Sequence, residues 1–334
     1  MRLSNDDRML ALRYEAFGDP VDVADVAEVA TPEPGPGQVR VRVLRSPIHN
    51  HDLATMRGTY GYKPQLPAFG GTELAGEIDA VGKGVEHLSK GQRITAAIRA
   101  GAWAQFAIVP AFAAVPVPDA IPDDVASQLL AMPLSAVVLF DELRTQPGMW
   151  IGQNAAGGAV GRVLMRLAQA NGVNVVNIVR SETAAEDLRK YGARYVVVTD
   201  ESDAWQRKIR ELTGGKGLAR IVDSVAGPQT LMLQRVLAER GEIIIFGGLS
   251  GAPIKLDPSL MISLECTVRG FWMSTWMECA THEQRAQAIQ RVFEDAIRGE
   301  LPLPVARAFP LTDAKSALAA AQTPGRGGKV LFAP

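Results

Sequence analysis

Gly157, Gly158 and Gly161 fall in the run Met149-Trp-Ile-Gly-Gln-Asn-Ala-Ala-Gly-Gly-Ala-Val-Gly161, where little side-chain bulk surrounds the backbone. Backbone N–H groups at a helix start attract a pyrophosphate, and missing side chains let it approach. Gly157, Gly158, Ala159, Val160 and Gly161 are therefore candidate phosphate ligands, provided that a strand leads in and a helix leads out. Without a ligand, the same residues would form an ordinary glycine-rich turn. Arg180 and Ser181 follow the next apolar run, Val175 to Val179. Enzymes that bind NAD often carry an acid at this point for the ribose 2′-hydroxyl. An arginine would pair instead with a 2′-phosphate through charge-assisted hydrogen bonds, which points to NADPH. Glu182 works against that pairing if it turns inward.

The flanking elements meet the proviso. Trp150 to Asn154 is short and apolar enough for a buried strand, and Arg162 to Asn171 carries Val163, Leu164, Leu167 and Ala168 at helical spacing. Gly172 suits a helix C-cap and Val175 to Val179 a second strand. The pattern continues with helix 183–191, strand 195–198, helix 204–212, strand 219–225, helix 228–237 and strand 242–246. Such alternation implies a parallel, doubly wound sheet, with the loops 154–161, 180–182, 224–227 and 246–251 along one edge. Earlier in the chain, Gln38-Val-Arg-Val-Arg-Val-Leu44 alternates with period two after the loop Thr31–Gly37. Strand candidates 73–81, 92–97 and 104–109 lie between glycines, as in a small barrel. Residues 110–122, rich in Ala and Pro, read as a connection. Helices are expected over 123–130 and 135–143, then a strand at 267–273, helices at 282–298 and 312–322, and a last strand at 329–332.

Bulk properties narrow the function classes. The 334 residues suggest two domains, and a net charge of −1 gives no general attraction to nucleic acid or an anionic membrane. Two cysteines, Cys266 and Cys279, exclude a disulfide framework and a four-cysteine zinc site. The first residues lack an apolar signal core and are acidic, and no apolar run reaches membrane-spanning length. A cytoplasmic setting is the expectation.

Within this frame, two segments resemble the medium-chain dehydrogenase/reductase superfamily, specifically its 2-enoyl thioester reductases. One runs from Ile48-His-Asn-His-Asp52 through Arg57-Gly-Thr-Tyr-Gly61 to Leu66-Pro-Ala-Phe-Gly-Gly71. The other is Phe246-Gly-Gly-Leu249 with Val268-Arg-Gly-Phe-Trp-Met-Ser-Thr-Trp276. The glycine run also fits the related quinone reductases. The resemblance implies an α/β chain, with a GroES-like β-rich barrel over 1–122 completed by 274–334, and a Rossmann domain over 123–273. It implies NADPH-dependent reduction of a conjugated carbon–carbon double bond, in a cleft between the domains. Tyr60 would be the proton donor, since a phenol holds its proton at neutral pH; Tyr62 ranks second. Phe246, Gly247, Gly248, Leu249, Phe271, Trp272 and Met273 would border the nicotinamide, and Lys329 would touch the cofactor. A homodimer, joined through the sheet edge near 267–273, is implied as well.

The chain also departs from that pattern. Met132 stands where an Asn usually precedes the proline, Ala159 replaces a glycine, and Glu182 replaces a second arginine. His49, Asn50 and His51 replace Asn-Pro-Ser. His49 falls where zinc-dependent relatives carry a cysteine, but the next ligand position holds Thr72, and catalytic zinc takes three protein ligands. No metal is expected. The two histidines could line the cleft, pack polar edges in the barrel, bind substrate or make activity pH-dependent. Two further readings stay open: a quinone or enone reductase, and a non-catalytic nucleotide-binding or redox-sensing protein.

Overall fold

A computed structural model of the chain describes residues 8–200 and 202–334, which form two compact units. One takes the chain up to Met132 with Ala296–Arg298 and Leu303–Pro334. The other is Pro133–Asp295 with Gly299–Pro302.

The first unit is built on the strand Gln38–Pro47, which pairs antiparallel with Glu73–Val81, Phe106–Pro110 and Lys329–Phe332. Its period-two pattern acts as expected: Val39, Val41 and Val43 are buried. Arg40 and Arg42 turn outward to Asp79 and Glu77. Two more strands, Arg8–Tyr14 and Asp25–Ala30, pair with each other and had no sequence expectation. Trp103 is fully buried against Phe332 and donates from Nε1 to the Pro47 carbonyl at 3.1 Å. It also explains the glycine pair of the Leu66–Gly71 motif. A Cβ on Gly70 or Gly71 would come within 2.3 or 2.4 Å of the Trp103 ring. Just beyond the central strand the chain turns into the helix Asn50–Met56, also unanticipated. The His49 N–H donates to Asp52 Oδ2 at 2.9 Å and ties the helix start.

The second unit holds a six-stranded parallel sheet, in the order 195–198, 174–179, 150–153, 218–223, 237–245, 267–270. Trp150–Gln153 is central, and the chain winds outward first to one side and then to the other. Its carboxyl end is the switch point where doubly wound sheets bind ligands. The helix that follows, Ala159–Ala170, begins three residues before the expected start and buries Val163, Leu164, Leu167 and Ala168. Gly172 follows it with φ +68°, the left-handed backbone of a C-terminal cap.

Three expected elements stop three or more residues short of their patterns. The helix expected over 123–130 stops at Ala126, because the N–H groups of Leu130 and Ala131 donate to Glu73 Oε1. The helix over 228–237 stops at Gln234, and the buried Leu237 opens the strand Leu237–Ile245 opposite Leu218. The strand over 267–273 stops at Gly270. Met273 begins the helix Met273–Cys279, so Phe271, Trp272 and Met273 lie past the strand end. In each case a tertiary pairing outweighs local propensity.

Candidate functional site

The glycine turn has the geometry that phosphate binding needs. Arg162 N–H to the Gly158 carbonyl is the first bond of the helix. The N–H groups of Ala159, Val160 and Gly161 precede it and, as at any helix start, have no partner within the helix. Gly161 is needed by the fold itself, since a Cβ there would meet the Ala156 carbonyl oxygen at 2.5 Å. Gly157 is different. It is exposed, its φ is not in the left-handed region, and a Cβ would meet nothing within 4 Å. Internal packing makes no demand for glycine at 157; an approaching ligand would. Val160 is buried, so only its backbone can serve a phosphate.

Buried amides and one carboxylate brace this edge of the sheet, and sequence reading missed them. Asp223 Oδ1 accepts from Asn154 Nδ2 at 2.6 Å and from the N–H groups of Val225 and Ala226; its Oδ2 accepts from Thr230. Asn154 Oδ1 in turn accepts from the Ser224 N–H at 2.7 Å. Gln153 Nε2 donates to the Gly161 carbonyl and to Asn177. The loops after the strands 150–153 and 218–223 are thus fixed to each other, and the glycine turn to the first of those strands. Only the position of Asn154 and Asp223 at strand ends could have signalled this role.

Arg180 is exposed at the end of the strand Asn174–Val179. Ser181 caps the next helix, accepting from the Ala184 N–H at 3.2 Å. Glu182 is paired with Arg189 at 2.5 Å, so its charge is offset within its own helix. Phe246 and Phe271 follow neighbouring strands, with ring centroids 6.3 Å apart. Leu249 is 56% exposed and Trp272 47%, a large apolar surface at the carboxyl ends of those strands. Lys329 belongs to the first unit.

There, Lys329 joins a cluster built on the two unusual histidines. His49, fully buried, lies with Nε2 2.7 Å from Glu73 Oε2 and Nδ1 3.3 Å from Lys329 Nζ. Burial pushes the Glu73 carboxyl up to about 8, against the pull of the Ala131 and Leu130 N–H groups. Burial, helped by Arg326, brings the Lys329 ammonium down to about 8. Burial, Lys329 and His51 hold His49 well below the usual imidazole range. Two proton arrangements satisfy every bond in the series. In one, Lys329 donates to Nδ1 while Nε2–H donates to the carboxylate. In the other, the carboxyl donates to Nε2 and Nδ1–H donates to the amine.

Tyr60 lies beside this cluster. Its N–H donates to the Ala54 carbonyl at 3.2 Å, which ties the loop to the helix Asn50–Met56. Its ring is 5.8 Å from that of His51, which stacks on His49 at 4.9 Å. Tyr62 is turned toward Arg99, whose guanidinium lies 6.0 Å from its ring. The donor set does not suit zinc. Both His49 nitrogens are engaged, one by a lysine, and no group of three His, Cys, Asp or Glu side chains with metal-site geometry occurs among the described residues. Among those residues, too, no helix is long and apolar enough to cross a membrane.

Comparison with known proteins agrees with this architecture. Residues 35–119 match the alcohol dehydrogenase GroES-like domain family, and residues 159–293 match the zinc-binding dehydrogenase family. The chain is 31% identical over 324 residues to the mitochondrial enoyl-[acyl-carrier-protein] reductase of Homo sapiens, covering 95% of this chain and 86% of that protein. Among solved structures, it is similar to the Escherichia coli quinone oxidoreductase complexed with NADPH (TM-score 0.89, 25% identity, 97% of this chain and 100% of that one). A mycobacterial quinone oxidoreductase is similar too, with a TM-score of 0.85 and 27% identity over 98% of this chain and 100% of that one. On this likeness, with its barrel strands, doubly wound sheet and glycine turn, the chain belongs to the medium-chain dehydrogenase/reductase superfamily, in its zinc-independent enoyl reductase and quinone oxidoreductase branch.

Proposed function

We propose that the protein is an NADPH-dependent oxidoreductase that reduces the conjugated double bond of a 2-enoyl thioester. The observation that carries this reading is the placement of Tyr60, whose ring lies 5.8 Å from that of His51, in a chain similar over 95% of its length to an enoyl reductase. NADPH, when bound, supplies a hydride to the β-carbon. The protein's own residues do the rest. The Gly157–Gly161 turn binds the pyrophosphate through helix-start amides, with Ala159 and Val160 contributing backbone only. Arg180 pairs with the 2′-phosphate, and Ser181 sets the turn beside it. Phe246, Gly247, Gly248, Leu249, Phe271, Trp272 and Met273 border the nicotinamide and keep water out. Lys329 contacts the cofactor. Tyr60 O–H breaks as a C–H bond forms at Cα, leaving a phenolate. The working division is a catalytic domain of 1–122 with 274–334 and a dinucleotide-binding domain of 123–273.

A second reading, reduction of quinones or enones, is favoured by the likeness to two quinone oxidoreductases. There hydride delivery alone can suffice and Tyr60 becomes dispensable. Steady-state NADPH oxidation with crotonyl-CoA, a benzoquinone and a simple enone separates the two. The proposal expects thioester turnover to dominate; quinone turnover alone would refute it. Cofactor binding without turnover of any of the three would favour a non-catalytic role.

The reading includes a homodimer in a cytoplasmic setting. Support for the dimer comes from the strand Thr267–Gly270 at the edge of the sheet and from Ile262, exposed on the nearby helix Pro258–Leu264. The presence of only two cysteines, one buried and one exposed and both free, suits a reducing compartment.

A further inference from the structure

If the reaction is the one proposed above, on which this inference rests, Tyr60 loses its phenolic proton at every turnover and must regain one. A series of side chains in the first unit fits that task. His51 Nε2 is 2.7 Å from Thr72 Oγ1, and the Thr72 hydroxyl donates to Asp52 Oδ1 at 2.7 Å. A hydroxyl has one proton. Since Thr72 gives its own to Asp52, it accepts from His51, so Nε2 carries hydrogen and Nδ1 is the second proton site. Asp52 is buried and fixed by the His49 N–H on its other oxygen. Its Oδ1 is 3.5 Å from His51 Nε2, close enough to balance a positive imidazolium. His51 keeps 22% of its side chain exposed, a route to solvent protons.

We propose that His51 is the proton-relay residue that recharges Tyr60, with Thr72 and Asp52 fixing its orientation and balancing its charge. After Tyr60 has protonated Cα, the Nδ1–H bond of the His51 imidazolium breaks as the phenolic O–H re-forms. Water then returns a proton to Nδ1, and neither step moves electrons between molecules. The groups facing His51 are Asp52 on its own helix, Thr72 before the strand Glu73–Val81, Tyr60 on the following loop and His49 on the preceding turn. Glu73 and Lys329 lie beyond His49. Burial keeps His49 neutral, so the imidazolium forms without a like charge stacked against it.

The test measures kcat and KM for crotonyl-CoA with saturating NADPH, across pH, in H2O and D2O, for wild type, His51→Gln and Thr72→Val. Glutamine keeps an N–H for Thr72 but cannot carry a proton. We expect His51→Gln to lower kcat by about 10- to 100-fold, with little change in KM, a larger solvent isotope effect and partial rescue by added imidazole. Thr72→Val keeps the imidazole and removes the hydroxyl that accepts from Nε2; its kcat should fall less than that of His51→Gln, with little change in KM and a raised solvent isotope effect. A His51→Gln enzyme with reduced kcat but an unchanged isotope effect and no imidazole response would overturn the relay. So would wild-type kinetics in both variants. A wild-type enzyme with no thioester turnover would instead overturn the reaction on which the relay depends.

Discussion

Glu73 and His49, fully buried, and Lys329, half-buried, place three titratable groups in one series, and the signs of their shifts set a stability profile. The carboxyl stands at about 8 instead of 4.5, so between those values the folded protein keeps a proton that the unfolded chain has released. Stability from Glu73 falls as pH rises through that window. The Lys329 ammonium stands at about 8 instead of 10.5, so between those values the unfolded chain holds the extra proton and stability rises with pH. His49, neutral when folded, adds a rise that ends near its unfolded value of 6.5. Equilibrium denaturation should therefore show a shallow minimum near pH 8, on the order of 1 kcal/mol below the value at pH 6.5. Glu73→Gln should remove the fall between those two pH values; a monotonic rise in the wild type would contradict the assignment. At Arg180, replacement by Ala should raise the NADPH dissociation constant by about tenfold or more and leave NADH nearly unchanged. Equal losses in a fluorescence titration would remove the 2′-phosphate role. Tyr60, Arg180 and the glycines stand out in the sequence because their types are chemically specific. The partners of His49 do not: Glu73 and Lys329 come from distant strands and meet it only once the strand Gln38–Pro47 has paired on both sides.

At the scale of elements, the glycine turn separates what the fold needs from what a ligand needs. Gly161→Ala drives a Cβ into the backbone of Ala156 and should lower the melting temperature and weaken NADPH binding together. Gly157→Ala has room in the protein alone and should leave thermal stability within about 0.5 kcal/mol, yet still weaken NADPH measurably. Loss of stability in both variants, with affinity unaffected by the second, would mean that the turn is structural only. Most elements of the doubly wound unit were legible: strand 195–198 and helix 204–212 fall where their patterns place them. The misreadings share a cause. Residues 127–130, 235–237 and 271–273 continue the local pattern of the element before them. What stops each element is a distant partner: Glu73 for the first, Leu218 for the second. At Gly270 the strand ends with its neighbour Leu237–Ile245, since Gly270 pairs with Ile245.

For the whole molecule, the apolar surface at the end of the second unit's sheet is the feature that association would cover. Ile262 is 77% exposed on a helix with no buried residue, beside the sheet edge. Light scattering should give twice the chain mass of 35.8 kDa, and Ile262→Lys should shift the particle toward monomer. A monomeric wild type at micromolar concentration would leave that surface without the expected partner. The charge balance, by contrast, was readable at once, because net charge is additive and needs no fold. Association is not additive in this way: residues 258–264 carried no helix expectation, and only the fold shows that Ile262 stays exposed while Met261 and Leu264 pack on the core.

The most direct test of the central claim is Tyr60→Phe, assayed with crotonyl-CoA and with a benzoquinone under saturating NADPH. The substitution removes one hydroxyl and keeps the ring beside His51. Thioester turnover should fall by about 100-fold or more, while quinone turnover and NADPH affinity stay close to wild type. Thioester reduction that persists at the wild-type rate would contradict Tyr60 as the proton donor and, with it, the proposed chemistry.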